Sequence, residues 1–168
     1  FFAVDPQVPD IPGPFFTSLR RCGDACRVVI GDGRLALQGR PDGEFDLLVL
    51  DAFNSDSIPG HLVSREAVRM YMTKLKPDGV LVFHVSNRYL DVERLTTAVL
   101  EAEGLTALVR YDNDTGPPGK SSSHYVAGLR RPEDAASAAF NEWIRIEESS
   151  FIPPWTDDFS NMMGILKF

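Results

Sequence analysis

The sequence predicts an α/β fold: a doubly wound, mostly parallel sheet in a single domain over residues 1–168. Three observations carry this. Apolar, β-branched runs recur without polar alternation, as in strands buried on both faces. Capped helical patterns lie between the runs. Each run also stops at Asp, Asn or Gly, residues that turn a chain at a strand end.

The elements follow in order. Strands are expected near residues 2–4, 27–30, 47–50, 80–84, 107–111 and 125–129. The second stops at Gly31-Asp32-Gly33, the third at Asp51 and the fourth at Ser86-Asn87. Ser64 can cap a helix whose apolar positions Val68, Tyr71, Met72 and Leu75 share one face, with Lys76-Pro77-Asp78-Gly79 ending it. Asp91 can cap a second helix, with Leu95, Ala98, Val99 and Ala102 on one face and Gly104 at its end. A third helix is expected from Pro132, with Ala136, Phe140, Trp143 and Ile144 turned inward. Residues 112–122 are rich in Gly, Pro, Asp and Ser and read as an exposed loop. The opening Phe1-Phe2-Ala3-Val4-Asp5 reads like the middle of a strand rather than a signal peptide.

Composition excludes several classes. With 43% hydrophobic and 24% charged residues, the chain is globular rather than disordered. Its net charge of −7, without a basic stripe, argues against a nucleic-acid partner, because that affinity starts with phosphate neutralisation. The same charge favours a cationic small molecule. No run of about 18 apolar residues predicts membrane insertion by this segment. Cys22 and Cys26 stand alone, so neither a disulfide scaffold nor a four-ligand zinc site is expected. They read as free thiols in a reducing compartment, which places the protein in the cytoplasm. No metal is expected elsewhere: residues 112–123 lack the Gly and Glu of a calcium loop. His124 follows three serines, but no nucleophile elbow accompanies it. His84, in an apolar strand, reads as a core histidine, and His61 is left open.

Candidate chemistry gathers at the strand ends, where ligands bind in such sheets. Asp5, Asp32, Asp51 and Ser86-Asn87 end four successive runs. In Val29-Ile30-Gly31-Asp32-Gly33-Arg34, and in residues 45–59 with Asp51-Ala52-Phe53-Asn54-Ser55-Asp56, the chain resembles the spermidine synthase (polyamine aminopropyltransferase) family. More narrowly it resembles the bacterial spermidine-synthase-like proteins often fused to transporter-like membrane segments. His61-Leu62-Val63-Ser64-Arg65-Glu66-Ala67, Phe83-His84-Val85-Ser86-Asn87-Arg88-Tyr89 and Trp155-Thr156-Asp157-Asp158-Phe159-Ser160-Asn161 extend the resemblance, from about Phe2 to Leu166.

The resemblance implies a class I methyltransferase-like Rossmann sheet. The co-substrate would be S-adenosylmethionine or its decarboxylated form, with no metal. Asp5 resembles the acid that grips the ribose hydroxyls. Asp32 resembles the acceptor for the adenine amino group, with Gly33 giving the ring room to approach. Asp51 resembles the catalytic aspartate, and Asp56 its companion on the amine substrate. Asp157 and Asp158 would lie in a loop folding back over the amine. Two departures are visible. The family spaces its two aspartates three apart and follows them with Pro, whereas Asp51 and Asp56 are five apart, with Phe53 between them. The chain also starts near the family's second strand, so the first strand and the glycine-rich loop are expected to be missing. An uncovered sheet edge would then favour a homodimer.

Three function classes follow from these residues. The first is aminopropyl transfer to a small amine such as putrescine. The second is methyl transfer to a small molecule on the same sheet. The third is a non-catalytic nucleoside-binding or interaction domain of a membrane-associated protein.

Overall fold

The protein is described by a computed structural model. It covers residues 1–3, 5, 21–52, 58–146 and 152–167. Backbone contacts group it into two units, Phe1–Pro41 and Asp42–Phe168.

In the first unit, β1 (Phe2–Ala3) pairs in parallel with β2 (Val29–Ile30). Val29 N donates to Phe1 O at 2.8 Å, and Gly31 N to Ala3 O at 2.9 Å. Gly31 then turns the chain at φ 140°, a region open chiefly to glycine. Asp32 N-caps a short helix, α1 (Gly33–Gln38), which sequence periodicity did not show. Six residues are too few to display a 3.6-residue repeat. Cys22 and Cys26 are joined in a disulfide with Cα atoms 5.5 Å apart. This corrects the expectation of free thiols. A spacing of four residues let the chain bring both sulfurs together at the turn before β2.

The second unit holds β3 (Phe45–Leu50), β4 (Leu75–His84), β5 (Thr106–Asp112), β6 (Ser123–Leu129) and β7 (Ile144–Arg145). Their order across the sheet is β3-β4-β6-β5-β7. β3 and β4 are parallel, and β6 runs antiparallel to both β4 and β5. Hence β3, β4 and β5 point one way, with β6 inserted against them. The expected α/β architecture is present, with every expected strand matched; Val4 lies outside the described residues.

Register sorts the side chains between two faces. Leu48 and Leu50 of β3 align with Leu81 and Phe83 of β4, and these with Gly128 and Val126 of β6. This face is sealed by α2 (Arg65–Lys74) on β4 and α3 (Val92–Ala102) on β5 and β6. Ser64 caps α2, accepting from Ala67 N, and Asp91 caps α3, accepting from Arg94 N, both as expected. Gly128 allows the closest approach: a Cβ there would stand 2.6 Å from Leu100 Cδ2. Between the helices, Glu103 accepts from Arg65 and Arg69, each Nε at 2.5 Å. Burial pushes the Glu103 carboxyl up, but the two guanidinium groups outweigh it and hold it below its usual range.

The opposite face is more lightly covered. Leu108, Ala127 and Leu129 form a small core there, with Val80, Val82, Phe140 and Trp143 packed against it. The expected third helix is instead two 3-10 turns, Pro132–Ala136 and Ala138–Phe140. Ala136 and Ile144 are exposed rather than inward. Ser137 interrupts the run and caps the second turn, because its hydroxyl competes well for backbone N–H groups. The chain also leaves α2 slightly earlier than expected, after Lys74. Leu75 is already in β4, and the register shifts between Phe45 and Leu47, so the strand carries Lys76-Pro77-Asp78-Gly79 as an irregular start. Among the described residues no helix is long and apolar enough to cross a membrane.

Candidate functional site

The expected site residues fall in both units. In the first, the Asp32 side chain accepts from Leu35 N at 2.9 Å, which is helix capping. Gly33 is not demanded by packing, since a Cβ there would meet only Phe2 Cβ at 3.8 Å. Asp5 is exposed.

In the second unit, Asp51 is the first residue beyond β3, and His84 is the last of β4. Leu50 aligns with Phe83, so the next step along two parallel strands places Asp51 beside His84. Asp51 Oδ1 lies 2.6 Å from His84 Nδ1. A carboxylate only accepts, so we assign the proton to Nδ1. His84 Nε2 is buried and has no hydrogen-bond partner among the described residues. The Tyr125 ring lies tilted against the imidazole, with centroids 5.1 Å apart. The Asp51 side chain is 72% exposed and that of His84 26%. The pair is therefore a solvent-facing carboxylate oriented by a largely buried ring.

This corrects the reading of His84 as a core histidine. The signal lay in alignment: Asp51 and His84 each follow the last apolar residue of neighbouring parallel strands. One residue further across the face, Arg110 aligns with Tyr125 and forms an ion pair with Glu142. Asp51, His84, Tyr125 and Arg110 thus make a polar row at the carboxyl ends of β3, β4 and β5.

Asp56 lies outside the described residues. Asp157 is anchored at the start of α2. Ser64 Oγ donates to its Oδ1 at 2.5 Å, and its own N donates to Glu66 Oε2 at 3.0 Å. Trp155 holds the same junction, fully buried, with its ring 3.5 Å from the Cβ position of Gly60. Asp158 is exposed. Asp51 and Asp157 are therefore held by different anchors, the end of β4 and the N-terminus of α2. His61 falls in a 3-10 turn before α2, away from any role assigned above. Tyr111 donates to Glu93 at 2.7 Å. Burial and that carboxylate push its phenol up to about 12, so it remains a donor at all ordinary pH. Among the described residues no group of acids, histidines and cysteines could hold a metal ion.

No family model matches the chain. Over 81 residues it is 35% identical to the polyamine aminopropyltransferase of Vibrio vulnificus, which is 47% of this chain and 26% of that protein. A probable spermidine synthase from Corynebacterium glutamicum superposes with a TM-score of 0.63 at 14% identity, covering 95% of this chain and 63% of that one. The spermidine synthase from Thermotoga maritima gives a TM-score of 0.57 at 18% identity, covering 90% and 52%. The chain thus spans only part of the length of each protein it matches. At such identities the solved structures speak for the fold. In sequence over that shorter stretch, and in fold over nearly its whole length, the chain is spermidine-synthase-like.

Proposed function

We propose that the chain belongs to an aminopropyltransferase, moving an aminopropyl group from decarboxylated S-adenosylmethionine to a small amine such as putrescine. The supporting observation is Asp51, an exposed carboxylate at a parallel strand end, fixed by His84 at 2.6 Å. A carboxylate held on one side and open on the other suits a cationic amine.

In this reading the amine nitrogen attacks the carbon bonded to the sulfonium sulfur. The new C–N bond forms as the C–S bond breaks, its electron pair returns to sulfur, and methylthioadenosine leaves. An alkylamine has a pKa of roughly 10, so it arrives mostly protonated and must lose a proton to attack. Asp51 orients the ammonium and receives a proton from it, either directly or on its way to solvent. Asp51 would not serve by holding the sulfonium, whose charge disappears in the transition state. Asp5, Asp32 and Gly33 are assigned to the ribose and adenine. Asp56, Asp157 and Asp158 are assigned to the amine side.

The test supplies the full-length protein with either donor. Methylthioadenosine released from the decarboxylated donor and putrescine supports the proposal. Methyl transfer from intact S-adenosylmethionine would replace it with a methyltransferase. Binding without turnover would make the domain a nucleoside-binding module.

A further inference from the structure

Beyond β4 the chain passes through Val85 into Ser86, Asn87 and Arg88. With Ser122 and His124 these residues line an open cavity of about 270 Å³. The lining contains no carboxylate. Arg88 lies over the Tyr89 ring, 5.6 Å from its centroid, and has no ion-pair partner among the described residues. Lys167 brings a second cation to the rim, its Nζ donating to Asn87 O at 2.9 Å. His124 is fixed twice. Its backbone N donates to Ser86 Oγ at 2.8 Å, and its ring meets Tyr111 edge-on at 4.8 Å. Nearby acids have partners of their own: Asp112 and Asp114 share Lys120, Glu93 accepts from the Tyr111 hydroxyl, and Asp51 meets His84.

The cavity lining thus holds Arg88 and His124, with Lys167 at the rim, and no acid, in a chain of net charge −7. Its donors are those an oxyanion needs. Guanidinium offers paired N–H groups, ammonium a point charge, and serine hydroxyls occupy remaining lone pairs. The volume admits a small acidic group rather than a nucleotide. Ser86 lies two positions beyond His84, roughly 6–7 Å at strand rise, which a short carbon chain bridges.

We propose that this cavity binds a small oxyanion: the carboxylate or phosphate end of an acceptor whose amine meets Asp51. That the ligand is the acceptor rests on the transferase reading; that the cavity binds an oxyanion does not.

The test follows the His124 ring resonances by NMR, at fixed pH and ionic strength, as the full-length protein is titrated. The probes are 4-aminobutanoate, inorganic phosphate and putrescine. The first and last share a four-carbon skeleton and differ in the charge at one end. A saturable His124 shift with 4-aminobutanoate and none with putrescine is expected, weakened about tenfold or more in Arg88→Gln. A shift with phosphate alone assigns a phosphorylated acceptor. The inference is overturned by no saturable response to either anion up to about 10 mM, by an equal response to putrescine, or by undiminished affinity in Arg88→Gln. Methylthioadenosine release judges the transferase reading separately. Turnover of putrescine without either acidic acceptor competing would remove the acceptor from this cavity.

Discussion

Phe83 and His84 are consecutive residues of β4, yet they enter different environments. Phe83 is fully buried on the helix-covered face, aligned with Leu50 and Val126. His84 points to the opposite face, beside an exposed aspartate and a tyrosine ring. The helix-covered face is apolar and closed. The other carries the small core around Leu108 and Leu129 and the exposed Leu47 and Val49 of β3, and becomes polar at the strand ends. One strand therefore anchors the fold with one side and holds a polar pair with the other. The period-2 alternation of a strand makes this possible at adjacent positions.

Substitutions on the two faces sharpen that contrast. The largest effect is expected for Phe83→Ala, which leaves a cavity on the helix-covered face. It should cost about 3–5 kcal/mol in denaturant unfolding. His84→Ala in the same assay should cost far less, and similar losses would mean that the two faces are equally structural. Next comes Gly128→Ala, whose new methyl meets Leu100 Cδ2 at 2.6 Å. A loss of about 1–3 kcal/mol is expected, and it should largely vanish when Gly128→Ala is measured in a Leu100→Ala background. An undiminished loss in that background would place the strain elsewhere.

Glu103→Gln should cost about 1–3 kcal/mol near neutral pH, by weakening charged hydrogen bonds to Arg65 and Arg69. Its folded pKa is depressed, so its contribution is complete above the unfolded value and fades as pH falls through the folded one. The stability gap between wild type and Glu103→Gln should therefore narrow below about pH 4.5. A gap that stays constant into acid would show that the carboxylate charge contributes nothing.

The sequence made the fold more legible than the site. Runs such as Leu47 to Leu50 and Val80 to Phe83, with Ser64 and Asp91 as caps, are local signals, and they located the sheet and two helices. The 3-10 turns after Pro132 were misread because Ala and Phe spacing suits either helix, and only the Ser137 hydroxyl breaks the run. Site residues were legible as candidates through their positions at strand ends. Their partners were not. Asp51 meets His84 because β3 and β4 align in parallel, and Asp157 meets Ser64 across 93 residues. Such pairings depend on register and chain return, which no local pattern encodes. The polar row with Tyr125 and Arg110 required knowing that β6 is inserted between β4 and β5.

The central claim is that Asp51, oriented by His84, acts on substrate rather than on the fold. The most direct measurement compares Asp51→Asn with wild type in the full-length protein, reading methylthioadenosine release and denaturant unfolding side by side. Asn is nearly isosteric and keeps an acceptor for His84 Nδ1, so stability should change by less than about 1 kcal/mol. Turnover should fall about 10²- to 10⁴-fold, the usual loss when a positioned acid–base group is removed, with methylthioadenosine affinity preserved. Unchanged turnover, or a loss that tracks unfolding, would contradict the account and make Asp51 a structural partner of His84.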